Sequence, residues 1–298
     1  MNTVLILGAS GNFGSHAAAA FTRAGWQVRR YKRGSDIAAA AQGVDVVVNA
    51  MNPPGYRNWA KFQPEIAALG LKAARVSGAT LLVPGNVYNF GTAAAPWGLD
   101  TPQRPQTRKG RIRVAMEQSL RDATDVQVII LRGGDFIADG GGQGVFGLVV
   151  AKQLGKGVVT AMGDMNAAHA YAYLPDMARA AVELAAARAS LPRFADIPFA
   201  GHRLSIRQIA DTYAALLNRS MRIKPFGWWM LRLASPFMVL ARELLEMRYL
   251  ASHPHWMENT ELRRYLPDFK PTTTEAMLSA AMPASPAPHP ARPADARS

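Results

Sequence analysis

The chain has 298 residues, enough for one large α/β domain or for a domain with a smaller lobe. Hydrophobic residues make up 49% of it and charged residues 18%, which is typical of a globular protein with a sizeable core. It contains no cysteine, which excludes disulfides and thiolate metal sites and fits a reducing, cytoplasmic location. The net charge of +13 favours an anionic, phosphate-bearing ligand, and no motif accompanies it that would predict a nucleic-acid partner.

Short apolar runs alternate with helical patterns through the first half of the chain. Five of these runs are rich in Val, Ile and Leu and lack polar alternation, as parallel strands covered on both faces do. The predicted strands are 3–8, 26–31, 45–51, 79–85 and 126–134, and the predicted helices between them are 15–24, 58–76 and 110–123. This rhythm predicts an α/β fold with a Rossmann-type, doubly wound parallel sheet.

The second half is less regular and predicts a small, mostly helical C-terminal lobe, interleaved with the sheet over roughly residues 160–282. We predict helices at 173–187 and 204–218, and either one long apolar helix or a pair broken at Pro236 over 228–249. Residues 1–282 are thus expected to form one domain, and the proline-rich segment 283–298 a disordered tail. Glycines or charges interrupt each long apolar stretch, so we predict neither a signal peptide nor a membrane span.

Three glycines between the first strand and the first helix form a G-x-x-G-x-x-G pattern. Glycine permits a tight turn with unusual backbone angles and lets the backbone approach a pyrophosphate closely. The following helix offers free N–H groups and the positive end of its dipole. The pattern predicts a dinucleotide site rather than a mere tight turn. The residues predicted to bind the cofactor here are Gly8, Ser10, Gly11, Asn12, Phe13 and Gly14.

The end of the second predicted strand is basic. Arg29, Arg30 and Arg33 crowd it, and no acidic residue precedes Asp36. A carboxylate at this place would favour the ribose hydroxyls of NAD(H), whereas guanidinium groups bind a 2′-phosphate. NADP(H) is therefore predicted over NAD(H). Side chains alternate along a strand, so we expect Arg33 and one of Arg29 or Arg30 to face the ligand, and the other to be solvated.

The order of these segments resembles the extended or atypical branch of the short-chain dehydrogenase/reductase superfamily, which includes NAD-dependent epimerases and dehydratases. The similar segments are GASGNFG, DVVVNAM, VPGNVYNFG, LRGGDFI, AYAYLPDMARA and MENTELRRYLPDFKPTTTEAM, up to about Met282. The resemblance implies that Ala50 and Met51 lie along the adenosine half of the cofactor. It also implies that Gly133 lies beside the nicotinamide.

The chain departs from that family at its reactive positions. Family enzymes use a Tyr-x-x-x-Lys pair for proton transfer and a Ser or Thr to hold the substrate oxygen. Here the tyrosine position is Lys109, the lysine position is Arg113, and the serine position falls near Pro84 or Gly85. Arg113 can bind ribose hydroxyls but cannot shuttle a proton near neutral pH. Lys109 can act as an acid only where its surroundings favour the neutral amine, and is otherwise a solvated lysine.

Two further residues are candidates for these roles. Tyr88 is the remaining phenol of the region, and Asn86 offers an amide to a substrate oxygen. The residues therefore predict an NADP(H)-binding oxidoreductase or epimerase/dehydratase-like enzyme with a nonstandard site for a small carbonyl or hydroxyl substrate. The alternative is a non-catalytic NADP(H)-binding redox sensor.

The substrate side stays open between two readings. The Trp- and Met-rich segment 226–250 predicts either an apolar pocket or ordinary helix core, and the basic cluster over 104–113 favours an anionic substrate. We expect a monomer or a homodimer and no metal, because His253 and His255 lack further ligands.

Overall fold

A six-stranded parallel sheet runs through the centre of the computed structural model, which describes residues 1–53, 55 and 58–283. Its strand order is β2-β1-β3-β4-β5-β9. The strands are β1 (Thr3–Leu7), β2 (Gln27–Tyr31), β3 (Val46–Asn49), β4 (Thr80–Gly85), β5 (Val128–Arg132) and β9 (Phe194–Pro198). All five neighbouring pairs are parallel, and the doubly wound Rossmann-type sheet is confirmed.

Helices cover both faces of this sheet, as buried parallel strands require. On one face α1 (Asn12–Arg23) packs against α5 (Leu174–Ala186). On the other face lie α2 (Ile37–Ala41), α3 (Trp59–Ser77) and α4 (Arg108–Asp122). The predicted helices are confirmed to within a few residues, although α1 begins three residues earlier than predicted and takes in Gly14.

The connection from β1 leads to β2 on one side of it, and the connection from β2 crosses back to β3 on the other side. The gap between β1 and β3 is therefore the switch point of the sheet. Ligands of open α/β sheets bind outside the carboxyl ends of the strands at such a point. Gly8 sits there with φ +82°, and a Cβ on it would lie 2.9 Å from the carbonyl carbon of Ala50. A Cβ on Gly14 would strike the carbonyl oxygen of Gly8. Only glycines fit these two positions.

The second half adds two small sheets that the sequence reading missed. One holds β6 (Asp135–Ile137), β8 (His169–Tyr173) and β10 (His202–Leu204), and the other pairs β7 (Val158–Ala161) with β11 (Arg222–Pro225). The helices here are α6 (Ile206–Leu216), α7 (Trp228–Ala234), α8 (Val239–Glu246), α9 (Thr260–Tyr265) and α10 (Thr274–Ala280). Of the two alternatives over 228–249, the structure has the pair of helices, because Pro236 separates α7 from α8.

Two elements from the second half of the chain belong to the central layers. The strand β9 completes the six-stranded sheet, and α5 packs against α1 on one of its faces. The predicted tail falls, apart from Pro283, on residues 284–298, which lie outside the described residues. No helix among the described residues is long and apolar enough to cross a membrane.

Stacked aromatic rings join the C-terminal segment to the loop after β4. The ring of His255 lies 4.9 Å from that of Trp97 and 4.8 Å from that of His169, measured between centroids. His255 Nδ1 also lies 2.8 Å from the carbonyl oxygen of His253. Burial lowers the pKa of His255 to about 3 and that of His169 to about 4, because the stack has no room for water around a charged ring.

His255→Phe is expected to flatten the acid side of the stability profile. In the unfolded chain these histidines protonate near pH 6.5, well above their folded pKa values, so the unfolded state binds more protons below that pH. Their contribution is complete above about pH 6.5 and is lost as the pH falls toward 4. Each histidine adds up to about 1.4 kcal/mol per pH unit to the slope of the unfolding free energy in that window.

Urea unfolding at several pH values between about 7 and 5 measures this slope. His255→Phe keeps a ring in the stack and should reduce the slope by about one proton's worth. The matched control is His16→Phe, on the half-exposed outer side of α1. Equal slopes in His255→Phe and wild type would contradict the assignment.

Candidate functional site

The glycine turn after β1 is open to solvent. Ser10, Gly11 and Asn12 are exposed, and Gly11, the N-cap residue of α1, provides no side-chain cap. The N–H groups of the first turn therefore have no intrahelical acceptor and point outward. Phe13 differs from its neighbours, because its side chain is buried in the core and only its main chain can face a ligand. The turn combines a close backbone approach with free donors, as a phosphate-binding turn requires.

The three predicted arginines lie at different places. The Arg29 guanidinium donates to the carbonyl oxygen of Gln42 at 2.6 Å, close to the amino end of β3. Arg30 faces the opposite side of β2 and is exposed. Arg33 is exposed in the turn 32–35 at the carboxyl end of β2, the edge at which the glycine turn also lies. The geometry thus favours Arg33 and Arg30, over Arg29, for a ligand at this edge.

A small cavity lies beyond the carboxyl ends of β3 and β4. It measures about 20 Å³, room for one or two waters, and is lined by Asn49, Met51, Pro84 and Arg113 among others. Arg113 Nε and Asn49 Oδ1 are buried here, and neither has a hydrogen-bond partner among the described residues. The cavity lining thus includes one residue with an unpaired donor and one with an unpaired acceptor.

Gly85 and Gly133 close the edge of the sheet beside this cavity. The Gly133 N–H donates to the carbonyl oxygen of Gly85 at 3.1 Å. A Cβ on Gly133 would lie 3.0 Å from the side chains of Ala172 and Met177. Gly133, which the resemblance places beside the nicotinamide, therefore has no room for a side chain.

A buried ion network fixes the loops around the site. Arg132 is fully buried and donates to Glu117 Oε2 at 2.7 Å, to Asp196 Oδ2 at 2.6 Å and to the carbonyl oxygen of Asn86 at 2.7 Å. Arg113 donates to Glu117 Oε1 at 3.3 Å and to the carbonyl oxygen of Pro84 at 3.1 Å. One carboxylate of α4 therefore ties together the ends of β4 and β5.

The charges of this network hold their ionised states. Burial alone would raise the pKa of Glu117, but Arg132 and Arg113 outweigh it, and the pKa is lowered overall. Burial alone would lower the pKa of Arg132, but Asp196 and Glu117 raise it above its usual value. Burial lowers the pKa of Arg113, only partly offset by Glu117.

Lys109 lies fully buried in the first turn of α4, so the alternative of a solvated lysine is wrong. Its ammonium donates to Glu246 Oε2 at 2.6 Å and to the carbonyl oxygen of Glu243 at 3.0 Å, and it forms an ion pair with the Glu243 carboxylate. Its own main-chain N–H donates to Glu246 Oε1 at 2.9 Å. Two carboxylates of α8 thus clamp Lys109, and one of them, Glu246, also caps α4.

Tyr88 and Asn86 belong to the loop that follows β4. Asn86 Oδ1 accepts the main-chain N–H of Tyr88 at 3.1 Å and so shapes the short 3₁₀ turn Tyr88–Phe90. Tyr88 is half-buried, with its ring 6.1 Å from that of Trp59. The main chain of Tyr88 packs against the first turn of α4, since a Cβ on Gly110 would touch the carbonyl oxygen of Tyr88.

Much of the predicted basic cluster is neutralised by carboxylates. Arg108 lies 3.3 Å from Glu243, and Lys109 and Arg113 are paired as described. The Trp- and Met-rich segment is not ordinary helix core either, because Trp229, Met230, Phe237 and Met238 are exposed. The reading of these four residues as core is wrong.

The comparisons with solved structures agree in fold over almost the whole chain. MoeE5 in complex with UDP-glucose and NAD matches at a TM-score of 0.71 and 16% identity, covering 94% of this chain and 97% of that one. The chain shares the Rossmann-type fold of this structure. UDP-glucuronic acid 4-epimerase from Bacillus cereus, bound to UDP-glucuronic acid and NAD, matches at 0.71 and 15% identity, covering 94% and 98%.

A third structure of this fold is RMD from Pseudomonas aeruginosa complexed with NADPH, at a TM-score of 0.70 and 16% identity, covering 95% and 98% of the two chains. No protein-family model matches the sequence. No curated protein matches it significantly.

The sequence analysis missed the carboxylates that form ion pairs with Lys109 and Arg132. Glu243 and Glu246 come from a helix more than a hundred residues away, and Asp196 from a strand that was not predicted. A weak signal existed for the first pair, because they are the two acids of an otherwise basic and apolar stretch.

Lys109→Met is expected to lower the free energy of unfolding by about 3 kcal/mol, because it leaves two partly buried carboxylates without their cation. Adding Glu243→Gln and Glu246→Gln should restore at least half of that loss, which urea unfolding measures. Lys72→Met, which changes an exposed lysine of α3, is the control and should leave stability unchanged. A triple variant no more stable than Lys109→Met would contradict the clamp.

Proposed function

We propose that the protein binds NADP(H) at the carboxyl ends of β1 and β3 and acts as an oxidoreductase or an epimerase/dehydratase-like enzyme. One observation carries the proposal. The uncapped amino end of α1 stands open behind a turn in which Gly8 and Gly14 leave no room for a Cβ. The structures of similar fold were solved with NAD or NADPH, which supports a nicotinamide cofactor here.

The described residues fit each part of such a cofactor. The N–H groups of Asn12, Phe13 and Gly14 would hold the pyrophosphate. Arg33 and Arg30 would hold the 2′-phosphate in a fork of charge-assisted hydrogen bonds. The remaining predicted contacts are Ser10, Gly11, Ala50 and Met51 on the adenosine half and Arg113 and Gly133 on the nicotinamide half. Arg113 Nε is unpaired but buried beside the 20 Å³ cavity, so Arg113 would meet a ribose hydroxyl only if that cavity opened.

A nicotinamide supplies hydride transfer when bound, and the chain must then supply or take up a proton. Tyr88 is our first candidate for that proton, since it is a half-buried phenol on the loop after β4. Asn86 positions this loop through its side-chain oxygen. Lys109 could take part only if α8 moved, because its donors meet the oxygens of Glu243 and Glu246. The substrate is proposed to be a small carbonyl or hydroxyl compound.

The second candidate is a non-catalytic NADP(H)-binding sensor, and the clamp on Lys109 is the observation that favours it. A position that transfers protons in the family is here engaged in a structural ion pair. NADPH oxidation against a panel of carbonyl compounds separates the two. Turnover that slows in Tyr88→Phe supports the enzyme, and tight binding without turnover supports the sensor.

Gly11→Ala is expected to weaken NADPH binding at least tenfold while the fold survives. The backbone of Gly11 (φ −80°, ψ 173°) suits alanine, and the new Cβ would lie 3.3 Å from the carbonyl oxygen of Gly8, a contact that small shifts relieve. Its methyl group would occupy the space proposed for the pyrophosphate. Fluorescence titration gives the dissociation constant, and thermal melting checks the fold.

Gly155→Ala is the matched control, because its Cβ would meet no atom within 4 Å and its φ is not positive. Equal NADPH affinity in Gly11→Ala and wild type would count against the site at this turn.

Arg33→Ala is expected to remove most of the preference for NADPH over NADH. The wild type should bind NADPH at least tenfold more tightly, because a guanidinium at the carboxyl edge of β2 pairs with the extra phosphate. In the variant the two affinities should converge through weaker NADPH binding, with NADH affinity unchanged. Arg23→Ala, at the far end of α1, is the control. Tighter binding of NADH by the wild type would overturn the assignment of Arg33.

A further inference from the structure

The pair α7 and α8 leaves a large apolar surface uncovered. Six exposed apolar side chains of this surface fall within residues 229–240, and Phe237, in the turn between the helices, is 93% exposed. We call this surface the apolar patch, formed by Trp229, Met230, Leu233, Phe237, Met238 and Leu240. A contiguous patch of this kind marks an interaction site more often than single exposed residues do.

The exposed charges of the segment that carries the apolar patch have one sign. Within residues 219–250 the exposed charged side chains are all basic: Arg219, Arg222, Lys224, Arg232, Arg242 and Arg248. The acids of residues 219–250 are Glu243 and Glu246 alone, and both turn inward to Lys109. A helix pair with an apolar outer surface and a basic border therefore faces solvent.

We propose that the apolar patch seats the protein on the surface of an anionic lipid bilayer. Apolar and aromatic side chains would enter the boundary between headgroups and acyl chains, with Phe237 deepest, and the surrounding cations would pair with acidic headgroups. The helices are too short to cross the bilayer, so the protein lies on it. The proposal rests on this surface alone and does not depend on the proposed function.

Charge complementarity selects this occupant over a second copy of the chain. A two-fold dimer through the patch would bring the same basic border against itself, which like charges oppose. An anionic bilayer offers both things the surface lacks, a hydrocarbon phase and negative charge. Trp229, about two-thirds exposed, suits the headgroup region where Trp is enriched.

Vesicle flotation of the full chain tests the proposal. We expect binding to phosphatidylcholine vesicles that contain phosphatidylglycerol, at least tenfold weaker binding to pure phosphatidylcholine, and release by high salt. Leu233→Ser with Phe237→Ser should lower binding to the anionic vesicles at least tenfold, with circular dichroism and melting temperature unchanged. Arg232→Glu with Arg242→Glu should lower it as much through charge alone.

Leu99→Ser with Leu148→Ser is the matched control, because both leucines are more than half exposed and lie outside the apolar patch. It should bind vesicles as the wild type does. Equal binding by wild type and the Leu233/Phe237 variant would overturn the proposal. So would a wild-type dimer, seen by light scattering, that the same variant dissociates, because the patch would then be covered by a second copy.

Discussion

Arg132 is the side chain on which the arrangement of the site depends. It is fully buried at the end of β5 and contacts Glu117 on α4, Asp196 on β9 and the main chain of Asn86 after β4. A buried guanidinium is tolerable only when carboxylates surround it, and removing one partner leaves an uncompensated charge. The network therefore fixes where α4 begins relative to the sheet. The positions of Lys109, Arg113 and Tyr88 follow from that placement.

The sequence was sufficient for the elements that depend on local pattern. Runs such as those of β1 and β3 are apolar because helices cover both faces, and the spacing of Gly8, Gly11 and Gly14 reflects a turn that no side chain would fit. The strands β6 and β10 of the small sheets were not predictable, because three residues carry too little pattern. Partners far apart in sequence, such as Lys109 and Glu246, cannot be paired from the local pattern, even where an isolated acid stands out in a basic stretch.

The replaced reactive residues make physical sense as a set. A tyrosine in the family's position needs a neighbouring lysine to lower its pKa, and this chain carries neither. A lysine buried at the same position needs counter-charges instead, and α8 supplies two. Arg113 keeps the cation of the second position but ties it to Glu117 and to a carbonyl oxygen of β4. At Lys109 the structure shows ion pairs that join α8 to α4.

The helix α8 connects the ion pairs of Lys109 with the apolar patch, because one side of it carries acidic residues and the other carries apolar residues. Its acidic side holds Lys109 at the start of α4, while Leu240 and the adjoining turn with Phe237 stay bare. Were the apolar side covered only by solvent, its exposure would cost the folded state without compensation. A helix anchored by buried ions on one side can hold an apolar surface outward without collapsing onto the core. The ion pairs with Lys109 hold α8 in place, and this lets the apolar patch stay exposed on its other side.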